Sequence, residues 1–65
     1  MPESIATSTF APLLLIIHNS NVSSEVKSAA GLYISNLYIQ GLDSSTIDNL
    51  ATIYCNNIIT QYNIQ

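Results

Sequence analysis

Charged residues are scarce in this chain, and their scarcity excludes two classes of function. One Lys, no Arg and four acidic residues make up 8% of the sequence, whereas about 25% is usual in soluble domains. Binding to nucleic acid requires several cations that neutralise phosphates, so a direct nucleic-acid function is excluded. The same shortage excludes a membrane anchor built from clustered Lys and Arg.

Cysteine and histidine occur once each, as Cys55 and His18. A lone cysteine forms no internal disulfide, and one Cys with one His cannot complete a zinc site. At 65 residues, the chain lies near the lower size limit for burying its own core. Such small chains are commonly stabilised by a disulfide, a metal or oligomerisation. The composition therefore favours oligomerisation, or docking to one larger protein.

Glycine-rich loops and long apolar runs are also missing. Gly31 and Gly41 are the only glycines, so the sequence has no glycine-rich phosphate loop. No apolar run approaches the roughly 20 residues that span a bilayer, so a membrane-inserted hairpin is disfavoured. The opening residues MPESIATS include Glu3 and no cation, unlike a signal peptide. With the lone cysteine, this favours an intracellular or virion-associated location.

Uncharged polar residues take the place of charged ones. Ser, Thr, Asn and Gln carry most of the polarity, while 48% of the residues are hydrophobic, which is too many for a disordered polar tail. A surface of amides and hydroxyls repels other copies only weakly, because net charge normally supplies that repulsion. Such a surface suits a protein that is covered in an assembly, or one that must behave alike over a wide pH range.

Three helices are predicted in a single domain over residues 9–65, after an irregular arm at residues 1–8. The first helix covers residues 10–18, because Thr9 is a candidate N-cap and Pro12 falls in the first turn, where its missing N–H has no helical partner. The aliphatic run LLLII predicts a short helix that is buried on all sides, although periodicity alone also allows a strand.

The second and third helices are predicted over residues 24–40 and 45–62. Ser23 is a candidate N-cap for the second helix, and Gly41 supplies a left-handed stop after it. Asp43, or the serine that follows it, is the candidate N-cap of the third helix. The link between them is short, so we expect the two helices to be antiparallel neighbours.

These two helices repeat one pattern, in which an apolar or small residue recurs every three or four positions, as on a buried helical face. In the second helix the stripe is Val26, Ala29, Ala30, Tyr33 and Leu37. In the third it is Ile47, Leu50, Ala51, Tyr54, Ile58 and Tyr62. We expect the stripes to face each other, with Ala30 and Ala51 allowing close approach and Tyr33 and Tyr54 in the core.

The rest of the second helix is also apolar over most of its circumference, which predicts a central, buried helix. On a helical wheel, Leu32 and Ile39 flank one side of a narrow strip, and Ile34 and Tyr38 flank the other. The strip consists of Ser24, Ser28, Gly31 and Ser35. Small residues at this spacing permit another helix to approach closely. We therefore expect the second helix to be buried between subunits or against a partner.

The candidate interface combines this strip, its flanks and two tyrosines. Tyrosine is enriched at interfaces, because it brings apolar area and one polar group. The predicted interface residues are Ser24, Ser28, Gly31, Leu32, Ser35, Tyr38, Ile39 and Tyr62. The third helix is predicted to be peripheral, since its outer side carries an uncharged polar stripe of Ser45, Asn49, Thr52, Asn56, Thr60 and Asn63.

The titratable residues give no indication of catalysis. Glu25, Asp43 and Asp48 lie near predicted helix N-termini, where the helix dipole favours an anion. His18 lies at a helix C-terminus, and Cys55 flanks the apolar stripe as a small hydrophobic residue. A nucleophilic Cys55–His18 pair would lack a third group to orient it. We therefore predict no enzyme, no cofactor and no metal ion.

Residues 10–40, FAPLLLIIHNSNVSSEVKSAAGLYISNLYIQ, resemble one HEAT repeat of the importin and exportin type. In that family an aliphatic helix is followed by a turn and a helix of the form VxxAAxxYxxNL. The matching residues are Val26, Ala29, Ala30, Tyr33, Asn36 and Leu37. The resemblance implies a helix pair that needs stacked neighbours, because one repeat cannot bury its own face.

The sequence thus predicts a small all-α protein, a helical hairpin plus a short N-terminal helix, completed by oligomerisation. The leading hypothesis is a non-enzymatic structural or assembly protein that associates with itself, as a virion, tail or filament subunit. The alternative is a helical adaptor or inhibitor module that docks on one larger protein. The first hypothesis predicts a homo-oligomer, and the second a monomer or dimer that its partner stabilises.

Overall fold

A computed structural model describes residues 8–64 of the chain. Within this part the chain forms three α-helices and no strand: α1 (Phe10–His18), α2 (Ser24–Ile39) and α3 (Ser44–Gln61). The predicted all-α class is confirmed, and the predicted helix bounds agree with the observed ones to within one residue. The predicted arm at residues 1–8 lies almost entirely outside the described residues.

The local sequence signals at both ends of α2 are confirmed. The Ser23 hydroxyl accepts a hydrogen bond from the Val26 amide at 3.3 Å, which caps the N-terminus of α2. Gly41 follows the helix with φ of +78°, in the left-handed region that favours glycine. Its amide donates a hydrogen bond to the Tyr38 carbonyl and so ends the helix.

The two ends of α3 are formed differently. Asp43 stands at the N-cap with an extended backbone, as predicted, but its side chain accepts no backbone N–H. At the other end Asn63 has a left-handed φ of 55°. Its amide donates to the Thr60 carbonyl at 3.3 Å, and the Ile64 amide donates to the Ile59 carbonyl at 2.9 Å. This pair of bonds is a Schellman ending, which satisfies carbonyls that the helix leaves free.

The central helix is α3, because it packs against both α1 and α2, whereas α1 and α2 contact each other least. The prediction that the second helix is central and the third peripheral is therefore wrong. The prediction failed because α1 packs against α3 and covers a side of that helix. A helical wheel of α3 alone assigns this side to the surface. The buried core consists of Phe10, Ile17, Ala30, Ile34, Leu37, Ile47, Ala51, Cys55 and Ile58.

A carboxylate from α3 holds the N-terminus of α1. Asp48 accepts hydrogen bonds from the Thr9 amide and the Thr9 hydroxyl, both at 2.8 Å, and from the Phe10 amide at 3.3 Å. The Thr9 hydroxyl also lies 2.9 Å from that of Thr52. Thr9 occupies the predicted N-cap position, but its hydroxyl makes no capping bond within α1. The capping oxygens belong instead to another helix.

The buried faces of α2 and α3 differ from the predicted stripes at their edges. Ile34 and Cys55, which the sequence places on the flanks, are buried, whereas Ala29 is exposed. Ala30 and Ala51 have no exposed area, so their predicted place on the inner faces is confirmed. The difference arises because α2 and α3 contact α1 as well as each other. The buried face of each helix is therefore centred differently from the stripe that a two-helix pairing predicts.

Two tyrosines connect α2 to α3. The rings of Tyr33 and Tyr54 stack, with their centroids 4.2 Å apart and an interplanar angle of 17°. Both side chains are half-buried and pack against the core, which confirms the inner position predicted for them. Tyr62, which ends the same predicted stripe, is exposed.

Only one side of α1 is buried. Phe10 and Ile17 belong to the core, whereas Leu15 and Ile16 are exposed. The prediction that the first helix is buried on all sides is therefore wrong. The helix lies on the surface of α3, and part of its aliphatic run faces outward.

Candidate interaction surface

A groove separates α1 from α2 on the side of the molecule away from α3. One cavity of about 520 Å³ is lined by Phe10, Ala11, Leu14, Leu15 and His18 from α1, and by Lys27, Ser28 and Gly31 from α2. A second cavity of about 330 Å³ shares Phe10, Leu14 and Gly31 with the first and adds Ile34, Ser35 and Tyr38. We call the two together the α1/α2 groove. It exists because α1 and α2 make few contacts with each other.

The α2 wall of the groove is formed by small residues. Ser28, Gly31 and Ser35 lie on successive turns and are exposed. A Cβ built on Gly31 would meet no heavy atom within 4 Å. The fold of the single chain therefore gives no steric reason for glycine here, although glycine inside a helix is about 1 kcal/mol less favourable than alanine. The space above Gly31 is open to another molecule.

Large apolar side chains stand on both sides of this wall. Leu32 is 67% exposed and Ile39 is 79% exposed, and they lie two turns apart on α2, facing away from the core. Across the groove, Leu15 of α1 is 59% exposed. We call Leu32 and Ile39 the α2 ridge. An apolar surface of this kind, with small residues between large ones, is typical of protein–protein contacts.

Charge enters the groove at one end only. Lys27 and His18 line it near the connection between α1 and α2, whereas Tyr38 lines the opposite end. No acidic side chain lines either cavity in the described part of the chain. The middle of the groove is therefore uncharged, so a partner can cover it without burying an unpaired charge.

The structure brings most of the predicted interface residues together. Ser28, Gly31, Ser35 and Tyr38 line the α1/α2 groove, and Leu32 and Ile39 form the ridge beside it. Ser24 is exposed at the start of α2 but lines neither cavity. Tyr62 lies apart, at the C-terminal end of α3, beside two other cavities. That another chain covers these residues stays a prediction.

Sequence reasoning missed the contribution of α1 to this surface. Leu14, Leu15 and His18 form the opposite wall, and Lys27 of α2 lies at one end of the groove. The aliphatic run of α1 contains too little periodicity to show which of its residues point outward. The position of α1 follows from its packing on α3, and a single-helix pattern does not contain that information.

The cysteine and the histidine lie in different surroundings. Cys55 is fully buried in the core, and this burial raises the pKa of its thiol, which keeps the sulfur protonated. His18 is exposed at the end of α1. Among the described residues, no three His, Cys, Asp or Glu side chains come together as metal ligands would. The helices of this part are also too short or too polar to cross a membrane.

Comparison with protein-family models, with curated proteins and with solved structures finds no match to this chain. The similarity to a HEAT repeat therefore remains a similarity of helix-packing positions. What the α1/α2 groove can do is inferred from its own residues.

Proposed function

We propose that this chain is a small structural subunit that associates with copies of itself through the α1/α2 groove and the α2 ridge. The single observation that carries the proposal is the row of small residues beside Leu32 and Ile39, with open space above Gly31. A helix from a second copy can lie along this row, and its side chains can pack between the ridge and Leu15.

The exposure of the ridge supports a contact that buries it. Leu32 and Ile39 are more than two-thirds and more than three-quarters exposed, respectively. Burying a leucine or isoleucine side chain fully contributes about 1.5–3 kcal/mol relative to leaving it in water. The polar residues of the row between the ridge and Leu15 are serines, Ser28 and Ser35, which offer no comparable gain. Association that buries Leu32 and Ile39 would therefore gain this burial free energy.

The shape of the molecule supports a helical partner. In a four-helix bundle each helix packs against two neighbours around a common core. Here α3 has two neighbours, whereas α1 and α2 leave a groove between them. A helix supplied by another copy would fill this position and bring Phe10 and Leu14 into a larger core.

Low charge supports self-association rather than a charged partner. Four acidic residues and one Lys give the chain a net charge of −3, and none of the three acidic residues between residues 8 and 64 lines the groove. Two copies therefore meet there without strong repulsion. An uncharged, apolar contact surface suits a subunit of a virion, tail or filament, where neighbouring copies cover each other permanently.

The test is the molar mass by light scattering from micromolar to near-millimolar chain, with circular dichroism on the same samples. We compare the wild type with Leu32→Ser and, as a matched control, Ile53→Ser, because Ile53 is 58% exposed on α3. The mass of the wild type is expected to rise above 7.1 kDa. Leu32→Ser should raise the dissociation constant about tenfold or more, and Ile53→Ser should leave it almost unchanged.

Two outcomes would contradict the proposal. A wild-type chain that stays folded and monomeric at every concentration would remove self-association and favour docking on one larger protein. Equal effects of Leu32→Ser and Ile53→Ser would show that association does not depend on the α2 ridge.

A further inference from the structure

We infer that the α1/α2 groove is also a binding site for a free fatty acid, whose carboxylate lies at the Lys27 end and whose alkyl chain follows the groove. This inference goes beyond self-association and does not depend on it, because a single chain contains the whole groove. It commits to one small ligand, which has one negative charge and one apolar chain.

The positive end of the groove contains the only basic side chains of the molecule. Lys27 is the only Lys, the chain has no Arg, and His18 is the only His. Both line the larger cavity, one from each wall. A Lys side chain donates up to three hydrogen bonds and a His side chain at least one. Together they form an end of the groove that suits an anionic head group, since hydrogen bonds between ionised groups are the strong ones.

The charge of Lys27 is not neutralised by the fold. Its side chain is half-buried, although Lys residues are mostly exposed, and its ammonium group forms no ion pair with a carboxylate of residues 8–64. Glu25 lies two positions away, and residues at this spacing do not face each other on a helix. No acidic side chain of the described residues lines either cavity. An anion that enters there meets a cation and no repelling carboxylate of this part of the chain.

The rest of the groove suits an alkyl chain. From Lys27 it continues past Phe10, Leu14 and Gly31 to Tyr38. Tyr38 follows Lys27 by 11 positions, which corresponds to about 16 Å along α2. The larger cavity alone, of about 520 Å³, has the size of pockets that hold small ligands. Such pockets are mostly apolar with a few polar groups that fix the orientation of the ligand, as Lys27 and His18 would here.

The number of charges favours a free fatty acid over a lipid bilayer. Attraction to an anionic bilayer requires a cluster of several Lys or Arg residues, and this chain has one Lys. The site is also a groove between two helices, so it admits an alkyl chain and not a flat membrane surface. One carboxylate matches the ammonium group, and one alkyl chain matches the apolar length.

The test is isothermal titration calorimetry with decanoate, below the concentration at which it forms micelles and at a concentration where the protein is monomeric. We expect one decanoate per chain. Hexanoate should bind about tenfold more weakly or worse, because each buried methylene changes the dissociation constant about fourfold. 1-Decanol has the same alkyl chain without the charge, and it should also bind about tenfold more weakly than decanoate.

Three variants test where the carboxylate binds. Lys27→Gln should raise the dissociation constant for decanoate about tenfold and leave that for 1-decanol unchanged, whereas Lys27→Arg should bind decanoate like the wild type. Asn56→Asp is the matched control, because it makes the chain more negative by the same one unit as Lys27→Gln. Asn56 is exposed on α3 and lines neither cavity of the groove. Equal effects of Lys27→Gln and Asn56→Asp would overturn the inference, since binding would then depend on net charge alone.

Amide chemical shifts in NMR spectra of the wild type give the position of the ligand. Decanoate should shift the amides of Leu14, Gly31 and Ser35, and leave unchanged those of Asn57 and Gln61, which line a cavity between α2 and α3. Absence of binding, or tighter binding to vesicles of anionic phospholipid, would overturn the inference. These measurements use the monomeric chain, whereas the proposed function is tested by molar mass at high concentration. A failure of one is therefore distinguishable from a failure of the other.

Discussion

Helix α1 borders two other helices, and the two borders differ in almost every respect. Against α3 it is closely packed, with Phe10 and Ile17 in the core and its first amides bonded to Asp48. Against α2 it leaves a groove of about 520 Å³ lined by Leu14 and Gly31. The helices that are adjacent in sequence are therefore the ones that pack least.

This difference separates stability from association within one small molecule. The α1–α3 contact contains buried apolar side chains and hydrogen bonds to Asp48, so it determines whether the chain folds. The α1/α2 groove contains exposed side chains that contribute little to the folded monomer, so changes there should alter association more than stability.

The largest effect is expected at Ile17, which is 1% exposed in the α1–α3 contact, whereas its neighbour Ile16 is 39% exposed. Replacing Ile17 with alanine should lower the free energy of unfolding by about 3 kcal/mol, because it removes buried methyl groups and leaves a cavity. The same change at Ile16 should cost less than about 1 kcal/mol. Urea denaturation followed by circular dichroism measures both. Similar losses at the two positions would contradict the observed burial of α1.

A smaller effect is expected from the polar part of the same contact. Asp48→Ala removes the acceptor for two bonds from Thr9 and one from Phe10, and should lower the free energy of unfolding by about 1–2 kcal/mol. Asp43→Ala is the matched control. Asp43 also lies near the start of α3, but its side chain caps no N–H. It should therefore cost only the dipole contribution, about 0.3–1 kcal/mol.

Thermal unfolding of the two variants beside the wild type checks this ranking. A loss at Asp43 equal to that at Asp48 would mean that the helix dipole, and not the contact with Thr9, accounts for both effects.

The helix bounds were predictable from the sequence because their signals are local. Ser23 and Gly41 act within a few residues of their own positions, and the short link between α2 and α3 leaves only an antiparallel arrangement. The inner positions of Tyr33 and Tyr54 follow from the apolar stripe of each helix. Each of these features depends on one helix or one turn at a time.

The position of α1 was not predictable in the same way. Its run LLLII has no polar interruption, so it does not show which residues contact α3. Asp48 was assigned to the helix dipole, since no pattern links it to Thr9 across 39 positions of sequence. The burial of Ile34 and Cys55 has the same origin, because it depends on three helices meeting.

The candidate site was partly predictable for the same physical reason. The strip on α2 is a property of one helix, so a wheel identifies Ser28, Gly31 and Ser35 and the exposed ridge beside them. The opposite wall, with Leu14 and Leu15, requires the position of α1. Tyr62 was assigned to the interface by residue type alone, and it lies elsewhere.

The smallest predicted effect compares the two glycines, for which the structure predicts opposite signs. Gly41 has φ of +78°, which alanine adopts with strain, so Gly41→Ala should destabilise the folded chain by about 1 kcal/mol or more. Gly31 lies inside α2 with no atom within 4 Å of an added Cβ. Gly31→Ala should therefore stabilise the monomer by about 0.5–1 kcal/mol, because alanine favours the helix. Urea denaturation at a concentration where the wild type is monomeric measures both signs.

The same Gly31→Ala variant gives a second reading at high concentration. In the proposed assembly a helix of another copy lies along the row of small residues, so a new methyl group at position 31 takes up space next to that helix and should raise the dissociation constant even though the monomer is more stable. If Gly31 served only the folded monomer, the stability of Gly31→Ala and its self-association would change in the same direction, or neither would change. Opposite changes in the two measurements would mean that the open space at Gly31 is used by another chain and not by its own.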